Sequence, residues 1–313
     1  MNPAEEHAIC QRALRALAGN RTPGYHFAGY FLDLQCRRFE TGTVAFELES
    51  GPHCTDPDGT LNLGALLLLA DMTLAASTRL YVDSSARTAT LCLRVEFTGA
   101  PARGLLRAEA KSAGFSPHTA LPQAACDGSI RAAGTEIVRM SGIWVAPPAP
   151  EGRVLNPLPW EHKDGPPVIH ALAPEQLDPQ EKSVMRRVAQ AMRAAPHSGF
   201  PRSLWEPAVR HTPRGAVSRL PVGMHVGNRV GHVQGGLLLY AALTTAIGAV
   251  PHHPLLTAVS SWFISPGQDK ALTSRSTVLQ KGRNVAVVRT EVFATGGKRV
   301  LEAVSNHAIA ARP

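Results

Sequence analysis

Two stretches of this chain pair glycine turns with an acid in a way that suits covalent chemistry. Asp71 stands inside an otherwise apolar run, Leu66–Met72, where a carboxylate costs more than it would at the surface. Such a group is either a general base or nucleophile, or a structural acid bonded to nearby amides. The second stretch, Gly231-His232-Val233-Gln234-Gly235-Gly236, runs straight into the apolar segment Leu237–Leu243. A glycine at the start of a helix presents a bare amide with the positive end of the helix dipole behind it. That is a fit place for a developing oxyanion.

These two stretches look like copies of one another. Gly59-Thr60-Leu61-Asn62-Leu63-Gly64 precedes Ala65–Asp71 just as Gly231–Gly236 precedes Leu237–Leu243. The first copy keeps Asp71 where the second has Leu243, and the second keeps Gly235 where the first has Leu63. Complementary losses of this kind predict one working site assembled from two half-sites.

The surrounding sequence repeats too. Asn2-Pro3-Ala4-Glu5 and Asp178-Pro179-Gln180-Glu181 share a capping residue, a first-turn proline and a glutamate that completes a capping box. Each opens a helical stripe: Ala8, Ile9, Ala13, Ala16 and Leu17 in one, Val184, Met185, Val188 and Met192 in the other. Strand-like segments follow each helix, at Tyr30–Cys36 and Thr43–Leu48 in the first half and at Leu204–His211 and Ala216–His225 in the second. After the Gly-turn helices, further strands are expected at Thr88–Phe97, Gly104–Ser112, Gln123–Cys126 and Glu136–Val145. Their counterparts are Leu256–Ile264, Leu272–Leu279, Asn284–Ala294 and Val300–Ala310. The domains predicted are 1–146 and 178–313, joined by a proline-rich linker over 147–177 that lies on the surface. The fold class is α+β, each half a sheet whose apolar face is covered by a central helix.

Composition narrows the function. At 313 residues, 44% hydrophobic and 18% charged, the chain reads as an ordinary two-domain globular protein. Aromatic content of 5% leaves little for stacking single-stranded nucleic acid, and the +8 charge is scattered rather than gathered in a tract. Such a charge suits a small polyanion better than nucleic acid. Five cysteines without C-x-x-C spacing argue for free thiols in a reducing compartment and against a zinc site. The N-terminus carries no signal-peptide pattern, and no apolar run approaches the ~20 residues of a membrane span. A cytoplasmic location is therefore expected. Neither a G-x-S-x-G elbow nor a dinucleotide or P-loop glycine pattern is present.

The residues resemble the hotdog-fold thioesterases, in particular the phenylacetate-degradation (PaaI-like) branch. That pattern is an Asn, then Gly-x-x-His-Gly-Gly leading into a helix with an Asp nine residues after the His. Here Asn228 precedes Gly231-His232-Val233-Gln234-Gly235-Gly236, and Asp71 stands nine residues after Asn62. Both halves lack the pattern's His, holding Gln234 and Asn62 instead. Ser261–Gly267 and Lys281–Val285 resemble the family's Pro-Gly strand end and its tight turn. The resemblance implies a double hotdog whose halves pair edge to edge, with one complete site of Asp71 and Gly235 and one dead site of Leu63 and Leu243. It implies hydrolysis of an acyl-CoA thioester to acid and thiol, with coenzyme A as part of the substrate and no metal or separate cofactor. In that reading Asn228 and Gln234 are side-chain donors, and Thr90 (or Thr88, the register being open) orients the water. Gly236, Gly64, Asn62, Lys281 and Arg283 bind substrate, the last two at the coenzyme phosphates. An enoyl-CoA hydratase or a non-catalytic acyl-thioester binder are the alternatives. Oligomeric state is open between a monomeric double hotdog and its homodimer.

Overall fold

The computed structural model describes residues 1–82, 86–149, 155–162 and 165–310. Its first helix, α1 (Pro3–Asn20), starts at a complete capping box. Asn2 Oδ1 accepts from the Glu5 amide at 2.9 Å and Glu5 accepts from the Asn2 amide at 2.8 Å. The same device, Asp178 with Glu181, starts the counterpart of this helix in the second half, Pro179–Ser198. Both helix starts were legible because a cap is a local bargain between side chain and backbone.

The segments next in sequence do not follow expectation. Tyr30–Cys36 and Leu204–His211 were expected as strands. Instead the structure forms two six-residue helices, α2 (Phe27–Leu32) and Phe200–Trp205, and pairing begins only afterwards. The buried positions are Phe27, Ala28, Phe31 and Leu32 in one, and Phe200, Pro201, Leu204 and Trp205 in the other. Spacing of one and four residues is helical, but over so short a run it is easily confused with alternation. Tertiary contact decides the matter: Phe31 stacks on Phe200 at 5.7 Å and meets Trp205 edge-on at 5.9 Å. Each helix is thus held by its counterpart in the other half.

The strands of the first half are β1 (Gln35–Glu40), β2 (Thr43–Glu49), β3 (Ala89–Phe97), β4 (Leu105–Ser116), β5 (Gln123–Ala132) and β6 (Thr135–Val145), with α3 (Leu63–Arg79) between β2 and β3. In the second half, α4 (Pro179–Ser198) and α5 (Phe200–Trp205) precede β7 (Val209–Thr212) and β8 (Gly215–Pro221). Then come α6 (Gly235–Ala249), β9 (Leu255–Phe263), β10 (Ala271–Lys281), β11 (Val285–Phe293) and β12 (Arg299–Ala308). All pair antiparallel in one twelve-stranded sheet, ordered β1-β2-β4-β5-β6-β3-β9-β12-β11-β10-β8-β7. The order is the same in each half read from its outer edge. The two halves join where β3 meets β9, with Leu93 opposite Ser261 and Val95 opposite Val259. Ser261 Oγ donates to the Leu93 carbonyl at 2.8 Å across that seam.

Helices α3 and α6 are apolar almost all round, as expected of helices wrapped by a sheet and packed on each other. Between β6 and α4 the linker does more than cover the surface. Leu155 and Leu158 are buried, and Trp160 meets Phe46 edge-on at 4.9 Å. Polar ties fix it as well: Glu161 to Arg79 at 2.9 Å, His162 to Tyr25 at 2.9 Å, and the Asn156 carbonyl to Arg229 at 3.2 Å.

Candidate active site

Asp71 lies on α3 two turns beyond its N-terminus and is only 5% exposed. Three donors hold its carboxylate. Thr90 Oγ1, from the start of β3, donates to Oδ1 at 2.9 Å, and Gln234 Nε2 donates to Oδ2 at 2.7 Å. The backbone amide of Gly236 supplies the third. Gln234 has no freedom to turn over, because its Oε1 caps α6 by accepting from the Leu237 amide at 2.9 Å. One side chain therefore starts the helix of the second half and orients the acid of the first. Burial pushes the Asp71 carboxyl up to about 6, against the pull of Thr90, Gly236 and Gln234 in the other direction.

Gly235 completes this arrangement. Its α-carbon sits so close to the carboxylate that a Cβ there would stand 2.9 Å from Oδ2 and 3.0 Å from Oδ1 of Asp71. As the first residue of α6, its amide has no acceptor within the helix. Gly236 serves differently. A Cβ on it would collide with the Leu67 carbonyl oxygen, so its bareness lets α6 lie against α3.

A cavity of about 320 Å³ opens beside these groups. Asp71, Thr90, Gln234, Gly235 and Asn228 all line it. Asn228 acts on its own loop: its Oδ1 accepts from the amides of Val230 and His232, both at 3.0 Å. Three arginines, Arg79, Arg87 and Arg229, also face the cavity. Burial lowers both Arg87 and Arg229, the latter to about 10, and their Nε atoms find no acceptor among the described residues. Two desolvated cations beside one carboxylate make a cavity that favours an anionic ligand.

The pseudo-equivalent position, across the local two-fold, is closed. Asn62 caps α3 by accepting from the Gly64 amide at 2.8 Å, as Gln234 caps α6. Its Nδ2 donates to Asp56 at 2.9 Å and approaches the Tyr240 hydroxyl at 3.4 Å. Tyr240 packs over Gly64, and its hydroxyl donates to Glu206 at 2.8 Å. Asp56 in turn is paired with Arg202 at 3.0 Å. Asn62 and Gly64, expected to bind substrate, do not line the Asp71 cavity and are engaged in this network instead. What shuts this position is the Tyr240 ring with its ion-pair network, in addition to the absence of an acid at Leu243. Tyr240→Phe is expected to lower stability by about 1 kcal/mol, the worth of one buried hydrogen bond, and to leave turnover at the Asp71 cavity unchanged. Thermal melting and initial rates on the purified variant check this.

Residues 224–308 match the family model described as the acyl-CoA thioesterase N-terminal domain. No curated protein matches the chain by sequence. Among solved structures, a putative oleoyl thioesterase from Lactobacillus plantarum is similar at 12% identity, with a TM-score of 0.56, over 87% of this chain and 98% of that one. A 12:0-ACP thioesterase from Umbellularia californica is similar at 12% identity and TM-score 0.54, over 86% and 94%. The tesB protein of Mycobacterium avium subs paratuberculosis is similar at 14% identity and TM-score 0.53, over 90% and 97%. The chain has the double-hotdog fold of these structures, and part of its second half matches a thioesterase domain model.

In this double hotdog, the structure brings Asp71, Thr90, Gln234, Gly235 and Asn228 to one cavity, with Gly236 immediately behind. Lys281 and Arg283 are not there. They stand at the β10–β11 turn, and neither lines the Asp71 cavity. The cations at the double hotdog's cavity are instead Arg79, Arg87 and Arg229, none of them among the residues expected from sequence. Arg229 carried a signal, since it follows Asn228 in the motif itself; Arg79 and Arg87 reach the site only through the ends of α3 and β3. Also missed were Leu158 and Trp160 of the linker, which line the same cavity. No helix among the described residues is long and apolar enough to cross a membrane.

Proposed function

We propose that the chain hydrolyses an acyl-CoA thioester at a single site between its halves, with Asp71 as general base and the Gly235 amide as oxyanion donor. The observation that carries this is the Asp71 carboxylate, buried on α3 and held by Gln234 at the mouth of the other half's helix. In this reading, water bound at Asp71 gives up its proton to the carboxylate as it attacks the thioester carbonyl. The carbonyl oxygen gains charge against the Gly235 amide and the positive end of α6. Collapse of the tetrahedral intermediate breaks the C–S bond, and the proton held by Asp71 passes to the departing thiolate. Both carboxylate oxygens are tied by fixed donors, which favours proton transfer over nucleophilic attack by Asp71 itself. Arg87 and Arg229 suit the phosphates of the coenzyme, which enters only as part of the substrate. The placing of Asn228 ahead of the Gly235-Gly236 turn fits the PaaI-like pattern, from which Gln234 departs, and five free thiols suit a reducing, cytoplasmic setting.

Release of free thiol from a panel of acyl-CoAs tests the proposal. Because the base must be ionised, kcat/KM is expected to be flat at alkaline pH and to fall about tenfold per unit as pH drops below the Asp71 value of about 6. A rate that instead rises on acidification would assign Asp71 the role of acid and overturn the mechanism.

A further inference from the structure

Behind the reaction cavity lies a second cavity of about 350 Å³, and four residues belong to the walls of both: His26, Met72, Leu158 and Trp160. Met72 follows Asp71 directly on α3, so the shared wall begins next to the reacting carboxylate. Beyond it the second cavity is bounded by Tyr25, Tyr30, Leu34 and Ile169, with Arg15 and Asp33 also on its wall. We propose that the linker supplies the stop for the acyl chain and that Trp160 is the residue that sets acyl length. This rests on the thioesterase reading given above.

Two things on the molecule support it. The partition is apolar where an acyl tail would meet it, and two of its four residues come from the linker rather than from either hotdog. The partition is also held rigidly. Trp160 is packed edge-on against Phe46, the Glu161 side chain accepts from the Leu158 amide at 2.6 Å, and Glu161 is paired with Arg79, itself 4% exposed. A wall pinned from both sides acts as a fixed end rather than a flexible flap. The reaction cavity alone stands near the lower end of the roughly 300–1,000 Å³ found for small-molecule sites. Opened into the cavity behind, it would have about twice the room. His26, held near 4 by burial, is neutral at neutral pH and adds no charge to this wall.

Saturated acyl-CoAs of increasing length, assayed for kcat/KM with the full chain, read the stop directly. Trp160→Ala is expected to move the optimum to longer chains, with about a fourfold gain for each methylene that newly finds apolar cover. The ratio of long-chain to short-chain kcat/KM should rise at least about tenfold. Leu158→Ala should move it the same way, which keeps the test open should the tryptophan variant fail to fold. Adding Ile169→Trp to Trp160→Ala refills the second cavity and should restore the original profile. A folded, active Trp160→Ala enzyme with an unaltered length profile would overturn the inference while leaving the thioesterase reading standing. Absence of hydrolysis by the unmodified chain on every acyl-CoA would overturn both.

Discussion

Asp71→Asn is expected to lower kcat by about 10²–10⁴, the usual worth of a positioned general base, while the protein stays folded. The substitution is close to isosteric, and the new amide oxygen accepts from Gln234 Nε2 as the carboxylate did. Thr90, whose hydroxyl rotates freely, becomes an acceptor. Stability should move in the opposite direction to activity. Asp71 has its carboxyl raised from 3.8 to about 6 in the folded protein, so folding favours its protonated form. The resulting stability is fully present below the unfolded value of 3.8 and is lost as pH rises through about 6. Above that pH the ionised carboxylate costs about 3 kcal/mol relative to a neutral group. Asp71→Asn removes that cost, so its melting temperature at pH 8 should equal or exceed that of the unmodified chain, and the gap should close towards pH 4. A variant that melts well below the unmodified chain at pH 8 would mean that Asp71 is a structural acid. Retained turnover would mean that it is not the base.

Gly235→Ala is expected to lower kcat/KM by about 10²-fold, the effect of displacing a reacting group by about an ångström. The added methyl falls 2.9–3.0 Å from both carboxylate oxygens, and those oxygens cannot retreat because Thr90 and Gln234 hold them. The neighbouring substitution makes a useful contrast. Gly236→Ala drives a methyl into the Leu67 carbonyl, which is backbone, so its principal effect should be a fall in stability as α6 is pushed off α3. Adjacent glycines thus separate chemistry from packing. Steady-state kinetics and thermal melting on both variants check the split. Equal kinetic losses in two stable proteins would show that the glycines act only as a hinge for the helix.

The seam between the halves explains why the chain carries one such site rather than two. Gln234 and Asn62 are equivalent caps, yet one meets an acid on the opposite helix and the other meets Tyr240. The closed position is no relic left empty. It holds Asp56, Arg202, Glu206 and Tyr240 in a connected polar network, and burial raises the Glu206 carboxyl.

Much of this was decided by the order of amino acids alone. The helix starts at Asn2 and Asp178, the Gly turns before α3 and α6, and the strand runs depend on caps, glycines and periodicities of a few residues, all of which act locally. The sequence also shows Asp71 in one copy opposite Leu243 in the other, and Gly235 opposite Leu63, from which a composite site followed once the halves were taken to pair. The tertiary structure decided what depends on residues far apart in the chain. Two short helices formed in place of the expected strands because Phe31 meets Phe200 and Trp205 from the other half. Tyr240 closed the second position by reaching Asn62, 178 residues away. Arg79, Arg87 and Arg229 converged from three elements, and the linker became a wall through Trp160. The Asp71 carboxyl rose because the two halves together exclude water from it, and desolvation is a property of the assembled packing that no local run of residues contains.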